Sequence, residues 1–192
     1  MNKIVLASQS PRRKQLLELA EIPFEVIVSA TDETYPEHLT LNEIPIYIAA
    51  EKANAVYKKI VEENKEAIII AADTVVVLDE KIIGKPVDRN DAIEILQSLS
   101  GKTHRVITGV VIKQNEQIIS FSDTTFVTFN SININDISHY VDTYQPFDKA
   151  GAYAIQEWIG VIGISKIEGD FYNVMGLPIS RVVSKLQSLK TQ

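Results

Sequence analysis

Ala67-Ile68-Ile69-Ile70-Ala71-Ala72-Asp73-Thr74-Val75-Val76-Val77-Leu78 is the stretch of sequence that decides the expected fold. Its apolar, largely β-branched residues are typical of a strand buried on both faces, and the polar pair Asp73-Thr74 interrupts them. The preceding residues 44–63 repeat apolar side chains at helical spacing, and the stripe is formed by Ala49, Ala53, Val56 and Ile60. A long amphipathic helix followed by an inner strand predicts helices packed on a sheet.

Further elements extend this pattern in both directions. Apolar and alternating segments predict strands over residues 3–7, 24–28, 81–84, 105–113, 117–129 and 160–167. Helical spacing and boundary residues predict helices over residues 11–21, 88–99, 135–144 and 178–189. Because helices alternate with strands early and strands cluster later, we expect an α/β fold with a mixed twisted sheet flanked by helices. Residues 1–192 would form one domain with two lobes around a central cleft.

Composition narrows the class of protein. The 192 residues are 45% hydrophobic and 23% charged, as in ordinary globular proteins. The 25 acidic against 19 basic residues give a net charge of −6, which disfavours stable nucleic-acid binding. The absence of cysteine excludes disulfides, thiolate catalysis and cysteine-bound zinc. No apolar run reaches the length of a signal-peptide core or a membrane span, so we expect a cytoplasmic location and no membrane partner.

The segment Ser8-Gln9-Ser10-Pro11-Arg12-Arg13 stands where a strand turns into a helix. Ser10 suits the N-cap and Pro11 the first helical position. Helix N-termini attract anions, so two arginines there are electrostatically out of place unless an anion such as a triphosphate is bound. The alternative interpretation is that both arginines are solvated and that Ser10 only caps the helix.

Asp73 is the second unusual residue, because aspartate is depleted in strands and costly to bury unpaired. At the end or bulge of an inner strand it could bind a divalent metal or take a proton from water. A structural aspartate that makes turn hydrogen bonds is the alternative. Three lysines in sheltered sequence positions, Lys52, Lys85 and Lys149, could bind phosphates, although each taken singly is more typical of a solvated charge.

These segments together resemble the Maf family of nucleotide pyrophosphatases, over a range from Ile4 to about Pro178. The resemblance rests on Ser8-Gln9-Ser10-Pro11-Arg12-Arg13, Asp32-Glu33-Thr34, Glu51-Lys52-Ala53, Ala72-Asp73-Thr74, Gly84-Lys85-Pro86, Leu99-Ser100-Gly101-Lys102-Thr103-His104, Asp148-Lys149-Ala150-Gly151-Ala152-Tyr153-Ala154-Ile155-Gln156 and Gly176-Leu177-Pro178. It implies an elongated molecule, often a homodimer, that is architecturally similar to the inosine-triphosphate pyrophosphatases and holds one nucleotide in its cleft.

Three positions resemble one branch of that family. Arg12, Thr74 and Gln156 match the branch that acts on dTTP and UTP, whereas the branch acting on 7-methyl-GTP tends to have Ser-Pro-Trp-Arg and Ser-Asp-Gln at the first two places. The resemblance implies that these three residues set specificity. A side-chain amide such as that of Gln156 can pair with the carbonyl and N–H groups of a pyrimidine.

The implied reaction is attack of water on the α-phosphorus of a nucleoside triphosphate, which releases pyrophosphate and the monophosphate. Ser8, Arg12, Arg13, Lys52, Lys85 and Lys149 would hold the substrate. Glu33 and Asp73 would bind Mg²⁺ or Mn²⁺, and Asp73 would orient or deprotonate the water, two roles that are partly exclusive. The resemblance leaves open which of dTTP, UTP and CTP is the best substrate.

Two other functions remain alternatives at this point. One is a house-cleaning pyrophosphatase for modified nucleotides. The other is a nucleotide-binding regulator of septum formation and cell division, since the family name is tied to inhibition of septum formation. The acidic balance argues against DNA as its ligand, and two carboxylates beside several cations argue for turnover.

Overall fold

A computed structural model describes residues 2–62 and 64–189. Its strands are β1 (Ile4–Leu6), β2 (Glu25–Val26), β3 (Ile68–Leu78), β4 (Lys81–Ile83), β5 (Thr103–Gln114), β6 (Gln117–Phe129) and β7 (Ile164–Glu168). Its α-helices are α1 (Pro11–Leu19), α2 (Glu43–Ile60), α3 (Arg89–Leu99), α4 (Ile134–Tyr144), α5 (Trp158–Gly163), α6 (Phe171–Val174) and α7 (Ile179–Leu189). A single 3₁₀ turn covers Ala150–Ala152.

The strands form one seven-stranded sheet in the order β2-β1-β3-β5-β6-β7, with β4 paired to β3 outside that path. Strand β1 runs parallel to both β2 and β3, whereas β4 is antiparallel to β3 and β7 is antiparallel to β6. The predicted class, a mixed sheet flanked by helices, is therefore confirmed. No helix within residues 2–62 and 64–189 combines the length and apolar character that crossing a membrane requires.

The chain divides into two compact units. Unit 1 contains Met1–Asp73, Thr108–Asp123 and Gly176–Gln192, and unit 2 contains Thr74–Ile107 and Thr124–Met175. The prediction of a single nucleotide cleft is not tested by either unit taken alone, and it stays a prediction.

The core of unit 1 forms where α2 packs on the sheet. The predicted stripe of α2 is buried with residues of β1, β3 and β5, among them Val5, Ile69 and Val111. Gly109 of β5 lies so close to α2 that an added Cβ would be 2.2 Å from the backbone nitrogen of Ile46. Only glycine permits this approach, which brings the helix directly onto the sheet.

The core of unit 2 includes the contact between α3 and α4. Each helix begins with a side-chain cap: Asp88 accepts a hydrogen bond from the Asp91 N–H, and Asn133 accepts one from the Asp136 N–H. Such caps satisfy backbone N–H groups that a helix leaves open at its start. The buried leucine, isoleucine and valine residues of the two helices form part of this core.

The structure corrects the sequence-based assignment at residues 160–163 and adds detail at two further places. Residues 160–163, predicted as strand, belong to α5, and only 164–168 form β7. The short apolar run does not distinguish the two states. Within α5, Gly160 packs so closely that an added Cβ would be 1.9 Å from the Ile155 carbonyl oxygen. The polar pair Asp73-Thr74 interrupts the apolar run but not the strand, since β3 continues through both residues. Ser10 occupies the N-cap position of α1, but its side chain makes no capping hydrogen bond.

Candidate active site

The junction between β1 and α1 is organised around the buried Ser8 side chain. Its Oγ accepts hydrogen bonds from the Ser10 N–H at 3.2 Å and from Nη1 of Arg13 at 3.1 Å. Because these two donors use the oxygen as an acceptor, the hydroxyl proton of Ser8 is left to donate elsewhere. The junction therefore presents a hydroxyl donor beside a guanidinium group at the start of a helix.

Arg13 is fixed in a way that only a guanidinium allows. While Nη1 reaches Ser8, Nε donates to the Gly176 carbonyl oxygen at 2.7 Å. Burial lowers the pKa of Arg13 from its usual value, the Asp73 carboxylate raises it, the Arg12 charge lowers it, and the Glu33 carboxylate raises it. An arginine remains charged throughout the accessible pH range, so this pattern places a fixed cation in the field of two carboxylates and next to a second cation.

Lys52 joins those two carboxylates. Its ammonium nitrogen lies 2.7 Å from Oδ1 of Asp73 and 2.9 Å from Oε1 of Glu33. The side chains of Lys52 and Asp73 are only 17% and 13% exposed, whereas Glu33 is 52% exposed. The positive charge of Lys52 between the two carboxylates offsets part of their mutual repulsion.

Three different elements supply this cluster. Lys52 lies on the flank of the apolar stripe of α2, Asp73 lies inside β3, and Glu33 belongs to the loop that follows β2. Asp73 can occupy an inner strand because its position is half-buried rather than closed and because Lys52 pairs with it. We use the term charged cluster for Ser8, Arg13, Glu33, Lys52 and Asp73, all of which belong to unit 1.

The charged cluster has a donor set that fits a divalent metal. Mg²⁺ in nucleotide-processing sites is commonly bound by one or two carboxylates together with substrate phosphates. Glu33 and Asp73 supply two oxygen ligands of that kind, converging on the same ammonium group. Across residues 2–62 and 64–189, no group of three or more His, Cys, Asp or Glu residues could enclose a metal by itself. A metal at this pair would therefore need oxygen ligands from the substrate or from water.

Other predicted site residues lie in unit 2. Thr74 is half-buried in β3, Lys85 is exposed, and Gln156 is exposed in the turn before α5. The segments that carry Lys85 and Lys149 meet, because the Gly151 N–H donates to the Gly84 carbonyl oxygen at 3.1 Å. Arg12, predicted beside Arg13, is half-buried on the first turn of α1 in unit 1.

Lys149 is held by carboxylates of unit 2. This lysine is 8% exposed, and its ammonium nitrogen lies 2.7 Å from Oδ1 of Asp148 and 3.6 Å from Oε1 of Glu157. Tyr140 donates a short hydrogen bond to the other oxygen of Glu157 and accepts one from the Ala154 N–H at 3.2 Å. Sequence reasoning missed Tyr140 and Glu157, because a tyrosine in a helix and a glutamate in a turn carry no signal of their own.

His104 and Tyr153 form a buried polar pair in unit 2. His104 Nε2 and the Tyr153 hydroxyl are 2.8 Å apart, and both rings pack edge-to-face with Phe129. Burial lowers the pKa of His104 from 6.5 to about 4 and raises that of Tyr153 above its usual value.

The His104 shift predicts a specific acid sensitivity. Since the folded-state pKa lies below the unfolded value, the contribution of His104 to stability is complete above pH 6.5 and declines as the pH falls toward about 4. The full loss is about 3 kcal/mol. Urea unfolding at several pH values should show a smaller loss in His104→Gln than in the wild type, whereas the exposed control His38→Gln should keep the wild-type slope. Equal slopes in the wild type and His104→Gln would contradict the burial argument.

Comparisons with known proteins bear on the whole chain. A family model described as "Maf-like protein" matches residues 3–189. A protein named dTTP/UTP pyrophosphatase from Thermosipho africanus is 49% identical over 180 residues, which is 94% of this chain and 90% of that relative. One of the same name from Bacteroides thetaiotaomicron is 47% identical and covers 97% and 96% of the two chains.

Structural similarity adds little to those matches. A solved nucleoside-triphosphatase / dITP/XTP pyrophosphatase from Mycobacterium abscessus aligns with 68% of this chain and 74% of its own. The sequence identity is 12% and the TM-score is 0.39. At that level the similarity supports no argument about the reaction.

Proposed function

The chain belongs to the Maf family, and on that premise we propose that it is a nucleoside triphosphate pyrophosphatase. It hydrolyses dTTP and UTP to the nucleoside monophosphate and pyrophosphate. CTP is a further candidate substrate. The relatives whose names state this activity are full-length matches, and the chain keeps Arg12, Thr74 and Gln156 at the positions that the family resemblance ties to specificity.

One observation carries the proposal: the Lys52 ammonium binds both Glu33 and Asp73, within the field of the Arg13 guanidinium. Phosphoryl-type transfer needs little covalent chemistry from the protein and depends on positioning and on charge stabilisation. Carboxylates next to cations, partly shielded from water, supply both requirements in a small volume. A purely structural cluster would not need an exposed carboxylate such as Glu33 at its edge.

The phosphates bind at the junction of β1 and α1 in this proposal. Arg12 and Arg13 neutralise phosphate oxygens, the Ser8 hydroxyl donates a hydrogen bond, and the start of α1 adds the partial positive charge of its N–H groups. Because the Ser10 side chain does not cap the helix, it does not compete with a phosphate for those N–H groups. The two arginines at a helix N-terminus, unfavourable by themselves, are then explained.

Asp73 acts on the nucleophile. Its Oδ1 is bonded to Lys52, and its other oxygen orients a water molecule or accepts its proton. We assign the water to Asp73 because that side chain is the less exposed of the two carboxylates. Glu33 and Asp73 would hold Mg²⁺ or Mn²⁺. When bound, such an ion supplies charge neutralisation on the phosphate oxygens.

The bonds that change are the same for each substrate. The water oxygen forms a bond to the α-phosphorus, and the bond from the α-phosphorus to the bridging oxygen of the β-phosphate breaks. Pyrophosphate leaves, and one proton of the water passes to Asp73. Arg12, Arg13 and Lys52 stabilise the negative charge on the phosphates during this exchange.

The remaining assignments rest on the family resemblance. They are phosphate binding by Lys85 and Lys149 and base recognition by Thr74 and Gln156. A homodimer and a cytoplasmic location, where nucleotide pools are found, also belong to the proposal. The pairing of Lys149 with Asp148 and Glu157 means that this lysine reaches a phosphate only if it gives up part of that ion pair.

A nucleotide panel tests the proposed function. Purified protein with Mg²⁺ or Mn²⁺ is offered dTTP, UTP, CTP, purine triphosphates and modified triphosphates, and released pyrophosphate is measured. We expect the highest kcat/KM for dTTP or UTP. A higher kcat/KM for modified nucleotides would point to a house-cleaning enzyme, and tight binding without pyrophosphate release would point to a regulatory binding protein.

Gln156→Ala should change the order of substrates more than the overall rate. The amide of Gln156 can pair with both a carbonyl and an N–H of the base, so its loss removes discrimination between bases. The same panel checks this expectation, with Gln97→Ala, an exposed glutamine on α3, as the matched control. An unchanged substrate order in Gln156→Ala would remove this residue from the specificity assignment.

A further inference from the structure

A groove in unit 1 is lined in part by sequence neighbours of the charged cluster and has no role in the proposed reaction. It has a volume of about 510 Å³. Its walls come from the loop after β2, from one side of α2 and from the end of β5, and they include Thr31, Glu51, Asn54, Tyr57, Lys58 and Lys113. The volume falls in the range of small-molecule sites.

Lys113 is the unusual residue of this groove. It is 8% exposed, and its ammonium nitrogen lies 4.8 Å from the centre of the Tyr57 ring. Within the part of the chain that the structure describes, no carboxylate forms an ion pair with it. A cation–π contact offsets only part of the cost of burying an ammonium group. The positive charge of Lys113 is therefore only partly compensated, and an anion bound beside it would stabilise it.

The other lining groups match a phosphorylated ligand. Lys58 and Lys113 give the groove two cations against one carboxylate, Glu51, on a chain whose net charge is −6. Thr31 and Asn54 add a hydroxyl and an amide that can donate to phosphate oxygens or pair with sugar hydroxyls. Two ammonium groups suit a phosphate monoester, which carries nearly two negative charges at neutral pH.

We propose that this groove is a second anion site that binds a nucleoside monophosphate. The choice of the nucleoside part rests on the proposed function, because that reaction releases a monophosphate, whereas the phosphate part rests on Lys113 and Lys58 alone. Thr31 lies two residues before Glu33, and Glu51 directly precedes Lys52. A ligand in the groove thus contacts the segment that carries Lys52 and the segment that carries its partner Glu33, which gives the product a route to modulate the enzyme.

Isothermal titration with UMP measures this binding without turnover. We expect two equivalents of UMP on the wild type, one at the charged cluster and one in the groove. Lys113→Met keeps the length and apolar stem of the side chain but removes the charge, and it should weaken one class of sites at least about 10-fold while the other remains. Lys65→Met, an exposed lysine outside the groove, is the matched control and should bind as the wild type does.

Two further variants and one further ligand distinguish the possible explanations of a weakened UMP isotherm. Arg13→Lys should weaken the other class and spare the groove, so a failure of the proposed reaction would not be mistaken for a failure of this site. Asn54→Asp places a repelling charge at the groove from an α2 position outside the core, and it serves if Lys113→Met does not fold. Inorganic phosphate tests the nucleoside part, because binding as tight as that of UMP would overturn it. Identical UMP isotherms for the wild type, Lys113→Met and Asn54→Asp would overturn the site itself.

Discussion

Asp73→Asn is expected to fold normally and to lower kcat at least about 100-fold, the typical effect of losing a general base. Asparagine has nearly the shape of aspartate and can still accept a hydrogen bond from Lys52, so the half-buried position in β3 stays filled. It cannot accept a proton, and it binds a divalent metal less strongly. Pyrophosphate release under saturating dTTP or UTP measures the change.

Asp79→Asn is the matched control for this prediction. Asp79 follows β3 directly, is exposed, and has a positive φ of 48°, which asparagine tolerates well. It should keep the wild-type kcat. Thermal unfolding checks that both variants are folded, and a folded Asp73→Asn protein with near-normal turnover would remove Asp73 from the centre of the mechanism.

Arg13→Lys should lower kcat/KM about 100-fold, although it conserves the charge. The guanidinium donates through Nε to Gly176 and through Nη1 to Ser8. A lysine ammonium is a point charge that cannot make these divergent contacts together. We also expect a loss of about 1–3 kcal/mol in the free energy of unfolding, because the Gly176 carbonyl loses its donor.

Lys14→Ala separates the specific role of Arg13 from the general effect of a cation near the start of α1. Lys14 is the next residue of the helix, and its removal also takes away one positive charge. It should change kcat/KM by much less than Arg13→Lys does. Similar losses in the two variants would show that net charge, rather than the geometry of the guanidinium, matters at this junction.

Much of the fold could be predicted because local signals and the tertiary structure agree. Ala49, Ala53, Val56 and Ile60 repeat at helical spacing, and all four are buried against the sheet. Proline and glycine signals at the ends of α1 and α3 brought their boundaries close to the observed ones. The prediction of a strand over residues 160–163 was wrong, because a short apolar run is compatible with a strand or with a buried helix, and these residues belong to α5.

The sequence predicted which residues belong to the candidate site, but not how their side chains contact one another. Asp73 was unusual as a charge inside an apolar run, and Arg13 as a cation at a helix start. That Lys52 would bind Glu33 and Asp73 together depends on how the loop after β2 lies beside α2, and loop geometry has no sequence period. Lys113 was missed for a related reason: a lysine at the end of a strand is usually solvated, and only the packing of β5 against α2 buries it.

Hydrolysis in H₂¹⁸O tests the central claim most directly, because the claim is that water attacks the α-phosphorus. With dTTP or UTP as substrate, one ¹⁸O atom should appear in the nucleoside monophosphate and none in the pyrophosphate, as mass spectrometry or ³¹P NMR can show. Label in the pyrophosphate would mean attack on the β-phosphorus, and labelled orthophosphate with a nucleoside diphosphate would mean attack on the γ-phosphorus. Either result would contradict the proposed reaction.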